Sequence, residues 1–383
     1  MIGTHSPITI HDFRGLFNRG EDEACPRDHL MDGVNFHCSQ QGIGSRPGCT
    51  HADLSSPLGG AIVRTFVYKR TGEVDRLIML DATGKFWDSN NLGAPILDRP
   101  GVIDFSMLTM FNRAYISPHN RDKGAAGEFL YVYQGTGTAR KAAGLPPSAF
   151  TLIAVEGGAG KIDKGKHVLG IYYETDTGFK TRIGPLNNLL VFTATGQKQV
   201  VITTSIPNMP VGPTGTVARH FAMSKALPTD FIGDPASVEL FKIPNATIQN
   251  NDAGIVSVTL DAYDTDLIES VDYLLDNHDE IPAFLGLADY GGSLTGWAKN
   301  TEPSSGWVSK NGQPESISTV DGFVQVYPGK GGPIRNGFEH RGTFYWTKTA
   351  GTYATENNGA APASWQPIPI DPAVGAEVNC ISI

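Results

Sequence analysis

Three cysteines and three histidines crowd one stretch near the start of the chain: Cys25, Cys38 and Cys49, with His29, His37 and His51 among them. Thiolate and imidazole are the ligands of tetrahedral zinc, but such sites nearly always contain a Cys-x₂₋₄-Cys pair. The gaps here are 12 and 10 residues, so ordinary buried or free thiols are the expectation for these three and for Cys380, with a disulfide as the alternative. No metal is assigned.

A second candidate is the run Gly157-Gly158-Ala159-Gly160-Lys161-Ile162. A phosphate-cradling loop needs a Gly five positions before its last Gly and a Ser or Thr after the Lys. Val155 and Ile162 stand there instead, so the run reads as a glycine turn. A third is the acidic set Asp261, Asp264, Asp266, Asp272, Asp276, Asp279 and Glu280. Paired carboxylates cleave glycosides or hold calcium, but the spaced Asp-x-Asp-x-Asp-Gly loop is missing. Acids also cap helix starts and favour their dipole, and that use is expected here. No Gly-x-Ser-x-Gly elbow occurs, and the ten histidines show no spacing to Ser and Asp that marks a nucleophile. Trp87, Trp297, Trp307, Trp346 and Trp365 could line a sugar groove, although strand tryptophans more often fill a core. Asn245-Ala246-Thr247 matches a glycosylation acceptor by what reads as chance. No catalytic, cofactor-binding or metal residue is assigned.

The elements that would position these groups are nearly all strands. Ile62–Tyr68, Arg76–Leu80 and Lys85–Asp88 form a meander whose turns are marked by Asp and Gly. A second meander runs through Ile103–Leu108, Ala114–Ser117, Phe129–Tyr133 and Ala139–Ala142. Strands resume at Phe284–Tyr290, Ser293–Ala298, Gly306–Ser309, Gly322–Val326 and Gly342–Lys348. Three or four short antiparallel strands in each stretch of ~40 residues is the spacing of propeller blades, although stacked sandwiches or an irregular meander share it.

Between the two halves, His167–Tyr173, the turn Asp176-Thr177-Gly178 and Phe179–Ile183 read as a hairpin. Gln199–Thr203 and Ala218–Ser224 continue an immunoglobulin-type sandwich, with Val238–Pro244 and Ile255–Leu260 as candidates for its last strands. Leu267, Ile268, Val271, Leu274 and Leu275 recur at helical spacing behind Asp264 or Thr265, which predicts one short helix over Thr265–Asn277. The expected fold is all-β: a propeller-like meander body interrupted by an inserted sandwich. Its segments are residues 1–145, the first blades; 146–262, the sandwich; and 263–383, the helix and remaining blades.

Composition agrees with a turn-rich β protein of two or three units. Among 383 residues, Gly 45 and Pro 25 make up about 18%, against ~12% in average proteins. The net charge of −9 offers no broad basic face for gripping nucleic-acid phosphates, though a mildly acidic lumen past which DNA slides fits the same count. Met1–Asp12 shows no basic start followed by an apolar core, and no run of ~18 apolar residues occurs. Neither a signal peptide nor a membrane span is expected.

Several stretches resemble one family. Asp12-Phe13-Arg14-Gly15-Leu16, Asp32-Gly33-Val34-Asn35-Phe36 and Gly44-Ser45-Arg46-Pro47-Gly48 are similar to the opening of tail structural proteins of tailed bacteriophages. Asp266–Leu275, Glu280-Ile281-Pro282-Ala283, Pro314-Glu315-Ser316-Ile317, Asp321-Gly322-Phe323 and Pro362-Ala363-Ser364-Trp365 look like later parts of the same proteins. The resemblance implies a podovirus tail nozzle-like β-propeller with a fibronectin type III-like insertion. It implies no enzyme and no cofactor, a homo-oligomeric ring around a DNA exit channel, and adaptor and tail-fibre neighbours. DNA would pass through the lumen without sequence-specific binding, and the protein would be made in the host cytoplasm and reside in the virion tail. The alternative is a carbohydrate-binding or glycan-hydrolysing propeller at a cell surface, which requires two carboxylates about 5–10 Å apart beside exposed tryptophans.

Overall fold

The computed structural model describes residues 60–120, 128–148, 150–204, 209–249 and 251–376, together with the backbone of four short strands nearer the start. The chain divides into two compact units, Met1–Pro57 and Leu58–Ile383. In the first, β1 (Gly15–Leu16) pairs in parallel with β2 (His29–Leu30), and β3 (Phe36–Ser39) pairs antiparallel with β4 (Gly42–Ser45). The sequence also predicts a strand over Ile8–Phe17, of which only Gly15 and Leu16 fall among the described residues.

The second unit is all-β and antiparallel. Its first meander pairs β5 (Ile62–Tyr68), β6 (Arg76–Asp81), β7 (Lys85–Asp88) and β8 (Leu97–Asp98) in sequence order. The second comprises β9 (Asp104–Met110), β10 (Arg113–His119), β11 (Tyr131–Tyr133) and β12 (Arg140–Lys141). Seven strands follow in two other sheets: β13 (Leu152–Ile162), β14 (Gly165–Thr175), β15 (Leu190–Ala194), β16 (Lys198–Thr204), β17 (Thr216–Met223), β18 (Phe241–Ile248) and β19 (Val258–Leu260). The third meander is β20 (Gly286–Tyr290), β21 (Ser293–Lys299), β22 (Glu302–Val308) and β23 (Phe323–Gln325). The fourth is β24 (Ile334–His340), β25 (Thr343–Lys348), β26 (Thr352–Glu356) and β27 (Ile368–Asp371).

Local chemistry explains the tight turns. Between β6 and β7, Asp81 Oδ1 accepts hydrogen bonds from Thr83 N at 2.8 Å, Thr83 Oγ1 at 2.7 Å and Lys85 N at 3.1 Å. Gly84 then takes φ +89°, and a Cβ there would come within 2.2 Å of the Arg99 carbonyl oxygen, so only glycine closes this turn.

The meanders stack in a row, with their opening strands side by side: β5 against β9, β9 against β20, β20 against β24. Each strand's period-2 alternation supplies one face to each neighbour. Phe66, Ile78, Leu80 and Phe86 meet Phe105, Ile116 and Tyr131 between the first two meanders. Tyr115, Leu130 and Val132 meet Phe284, Leu294 and Trp307 between the second and third. Trp297, Val308 and Val324 meet Phe344, Trp346 and Tyr353 between the third and fourth. Two serines join the middle pair directly: Ser117 Oγ donates to the Phe284 carbonyl at 2.7 Å and Ser106 Oγ to the Leu285 carbonyl at 2.6 Å.

Strands β13, β16 and β19 form one sheet and β15, β14, β17 and β18 another. They face one another across a core that includes Leu152, Ile162, Val200, Ile202 and Leu260 from the first and Ile171, Tyr173, Phe192, Phe221 and Ile243 from the second. This is a two-sheet sandwich set between the second and third meanders.

Three sequence expectations need correction. The segment Thr265–Asn277 is not a helix but two single 3₁₀ turns, Asp264–Asp266 and Asp272–Leu274. Between them the chain is extended alongside β18: Lys242 N donates to the Glu269 carbonyl, and Val271 N to the Leu240 carbonyl, both at 2.9 Å. Its apolar spacing serves two different cores. Leu267 enters the sandwich interior, whereas Val271 and Leu274 pack on the outer face of β14 and β17.

The glycine run Gly157–Gly160 is not a turn. It lies within the 11-residue strand β13, where the register to β16 shifts between Glu156 and Ala159 and again before Ile162. Gly157, Gly158 and Gly160, lacking side chains, tolerate the bulged backbone around Ala159. The hairpin return Phe179–Ile183 is not a regular strand either. It joins β14 by isolated bridges, Glu174 to Lys180 and Ile171 to Gly184, while β15 pairs with the other half of the same edge.

Candidate functional site

The acidic set disperses, six of its seven side chains serving structural bonds, while Asp276 contributes its carbonyl to Thr319. Asp261 Oδ1 accepts from Lys161 N at 2.8 Å, Asp264 Oδ2 from Ala226 N at 2.8 Å, Asp266 Oδ2 from Tyr263 N at 3.0 Å and Asp272 Oδ1 from Leu240 N at 3.0 Å. Asp279 takes both ends of the Arg182 guanidinium at 2.6 Å, and Glu280 pairs with Lys141 at 3.0 Å. All five tryptophans are buried, which removes the exposed aromatic platform that the glycan reading requires. Gly157–Lys161, embedded in strand, precedes no helix whose amides could hold a phosphate.

Among the described residues no group of three or more His, Cys, Asp and Glu is placed to hold a metal ion. Cys25, Cys49, His51 and Cys380 lie outside those residues, as do the side chains of His29, His37 and Cys38. Asn245 is exposed, with φ +62°, and Thr247 of the same tripeptide is hydrogen-bonded to His220.

Folding assembles two constellations that spacing did not reveal. Asp104 and His119 are cross-strand partners of β9 and β10, and Ser106 Oγ lies 3.3 Å from His119 Nε2. The residue types are those of a nucleophilic triad. The geometry is not, because the Ser106 proton is directed at the Leu285 carbonyl and all three side chains are buried between meanders.

The other is a row across three strands, Tyr172–His220–Thr247. His220 Nε2 is 2.6 Å from Glu174 Oε2, and its Nδ1 is 3.0 Å from Thr247 Oγ1. A carboxylate can only accept, so Nε2 carries the proton and Nδ1 accepts from the threonine. Burial holds the imidazole pKa below its ordinary value despite the opposing pull of Glu174. Tyr172 stacks on the ring at 4.9 Å. The row ties β14, β17 and β18 together laterally.

A dense polar network sits where the sandwich meets the meanders. Arg140 on β12 reaches Glu315 at 3.0 and 3.3 Å, Asp176 at 2.7 and 3.0 Å, and Thr177 Oγ1 at 3.0 Å. Glu315 Oε2 also accepts from Ala143 N at 2.6 Å. Burial works against the Arg140 charge, but the two carboxylates hold its pKa above the ordinary value. Gly215 permits this approach, since a Cβ there would sit 2.6 Å from the Arg140 side chain.

Beside this joint, Tyr115 faces a small cavity of about 30 Å³ shared with Thr177, Phe179 and Glu315. A groove of about 530 Å³ lies at the sandwich entrance, lined by Pro146, Pro147, Phe150, Arg182, Pro185 and Asn188 among others. Its one charged residue, Arg182, is already paired with Asp279.

No protein-family model matches the chain, and no curated protein matches it. Among the described residues no helix is long and apolar enough to cross a membrane. What the molecule presents is a stack of sheets with a charged, well-bonded joint, and reading that joint from sequence required knowing that Arg140 and Glu315 meet. The only local signal for it was the word Pro314-Glu315-Ser316-Ile317 itself.

Proposed function

We propose that this chain is a structural protein of a bacteriophage tail, of the nozzle type, whose copies build a ring around a DNA exit channel. In this reading the four stacked meanders are the blades of a propeller-like body, and the sandwich between the second and third is the fibronectin-like insertion. The observation that carries the proposal is this architecture: consecutive meanders, opening strands side by side, interrupted once by a two-sheet module that is bonded back through Arg140. The resemblance of the short sequence words supports the same reading. A negative overall charge suits a wall that DNA must pass without sticking.

The test is direct. Mass spectrometry of purified particles is expected to find the chain among the tail proteins, and negative-stain images of the recombinant chain should show rings with a central channel. Absence from the particles, with only single copies in the images, would overturn the proposal.

A further inference from the structure

We propose that Asn358 is a site of spontaneous covalent modification, at which the folded protein loses ammonia and gains an isoaspartyl linkage. This goes beyond the virion reading and stands without it. The sequence holds three Asn-Gly pairs: Asn311-Gly312, Asn336-Gly337 and Asn358-Gly359. Asparagine is a thermolabile residue, and a following glycine leaves the next amide nitrogen unshielded by any Cβ. The three pairs are therefore chemically alike until the fold separates them.

The chemistry needs only water and base. The Gly359 amide gives up its proton to solvent base and its nitrogen adds to Asn358 Cγ. A new C–N bond forms, the carboxamide C–N bond breaks, and ammonia leaves with a proton taken from water. Water then opens the five-membered imide at either carbonyl, giving aspartate or isoaspartate. In a folded chain the nitrogen must first leave its hydrogen bond, and the backbone must turn until that nitrogen meets Cγ.

Two of the pairs are held against this. Gly312 N donates to the Gly292 carbonyl at 2.9 Å, and Asn311 Nδ2 is bonded to the Gly291 carbonyl, so the turn between β20 and β21 grips both the nucleophile and the leaving group. Asn336 and Gly337 lie inside β24, paired with Thr347 and Trp346, and Gly337 is buried. Gly337 N points at Asn336 Oδ1, 2.9 Å away, which is the oxygen of the carboxamide and not its carbon.

Asn358 is placed differently. It follows β26 in a loop where residues 357–360 are all exposed. Gly359 N is bonded to the exposed Asn357 side chain, Oδ1 at 2.9 Å, a partner that water replaces readily. Ala360 N donates to Asn358 Oδ1 at 3.0 Å. An N–H aimed at that oxygen stabilises the negative charge it takes on as the nitrogen adds. The product puts a new carboxylate beside Glu356 on a chain whose net charge is already −9.

Incubating the native chain in mildly alkaline buffer, then digesting it and measuring peptide masses, reads all three sites in one sample. Asn358 is expected to convert at least about tenfold faster than Asn311 or Asn336, which react only through local opening of their turn or strand. Isoaspartate and aspartate should both form, and the rate should rise with pH because the attacking amide must lose its proton. In urea the three pairs should convert at similar rates. Asn358→Gln, whose longer side chain would have to close a six-membered ring, should suppress the reaction at this position while the melting transition stays where it was.

Native conversion that is equal at the three sites, or led by Asn311 or Asn336, would overturn the proposal. So would an Asn358 that stays intact in the native chain while the unfolded chain reacts. Aspartate formed without isoaspartate would mean direct hydrolysis of the side chain and would overturn the cyclisation step.

Discussion

Arg140 and Glu315, 175 positions apart, form a two-pronged ion pair with almost no exposure on either side chain. The same guanidinium holds Asp176 at the tip of the β14 hairpin, so one side chain joins the second meander, the loop after the third meander's β22 and the inserted sandwich. Removing it would leave Glu315 charged and buried with only the Ala143 amide for company. Arg140→Ala is expected to cost about 3–5 kcal/mol, the usual penalty for stranding one partner of a buried pair. Exchanging both partners, in Arg140→Met with Glu315→Leu, should cost clearly less. Urea unfolding measures both, and a single-variant cost under ~1 kcal/mol would show that the joint is held by something else.

That pair also marks the boundary of what the sequence discloses. Strands β5 and β7 were readable to the residue because alternation and turn chemistry are local: Ile62, Phe66 and Tyr68 repeat at period 2, and Asp81 with Gly84 closes the next turn. The supposed helix failed because Leu267, Val271 and Leu274 have helical spacing for a different reason, each being drawn to whichever core lies nearest along an extended path. Strand β24 is not legible in the sequence, since Gly337 interrupts its pattern where Phe344 presses against the sheet. Ser106, His119 and Asp104 illustrate the same limit for chemistry, because only the pairing of β9 with β10 brings them together.

His278 should make the protein acid-sensitive. Burial pushes its imidazole down to about 4, with Lys299 adding to the effect, and the ring packs edge-on against Trp307 at 5.2 Å. A histidine with a depressed folded-state pKa stays neutral while the unfolded chain takes up a proton near pH 6.5. Stability should therefore fall as pH drops from about 6.5 towards 4, by roughly 2–3 kcal/mol from this group. His278→Gln should flatten that part of the profile. Parallel native and variant curves between those limits would rule out His278 as the source.

Lys348 predicts the opposite end of the pH range. Its ammonium is buried with no carboxylate partner among the described residues, donating to the Val326 and Tyr327 carbonyls at 2.9 Å and to Ser304 Oγ at 3.2 Å, and burial lowers its pKa to about 8. Between about pH 8 and 10.4, the ordinary lysine value, the folded chain releases a proton that the unfolded chain retains. Native stability should rise with pH across that window, against any general alkaline loss, and Lys348→Met should lack the rise. Urea midpoints at three pH values suffice, and equal slopes for the two proteins would refute the assignment.

The third and fourth meanders meet at a glycine that leaves room for an indole. Gly306 on β22 faces the Trp346 indole so closely that a Cβ would lie 2.1 Å from its ring, and Trp346 is completely buried. Its φ is not in the left-handed region, so the requirement is space and not backbone freedom. Gly306→Ala forces either the indole or the strand to move, at about 1–3 kcal/mol for an overpacked core. Trp346→Phe removes part of the ring and also the Nε1 hydrogen bond to Thr355 Oγ1 at 2.9 Å, so it destabilises by itself. In the double variant the smaller ring makes room for the methyl, and the combined loss should fall below the sum of the two single losses by at least ~0.5 kcal/mol, the threshold at which contacting residues are seen to couple. Strict additivity in a double-mutant cycle would mean that glycine at this position is incidental to how the two sheets meet.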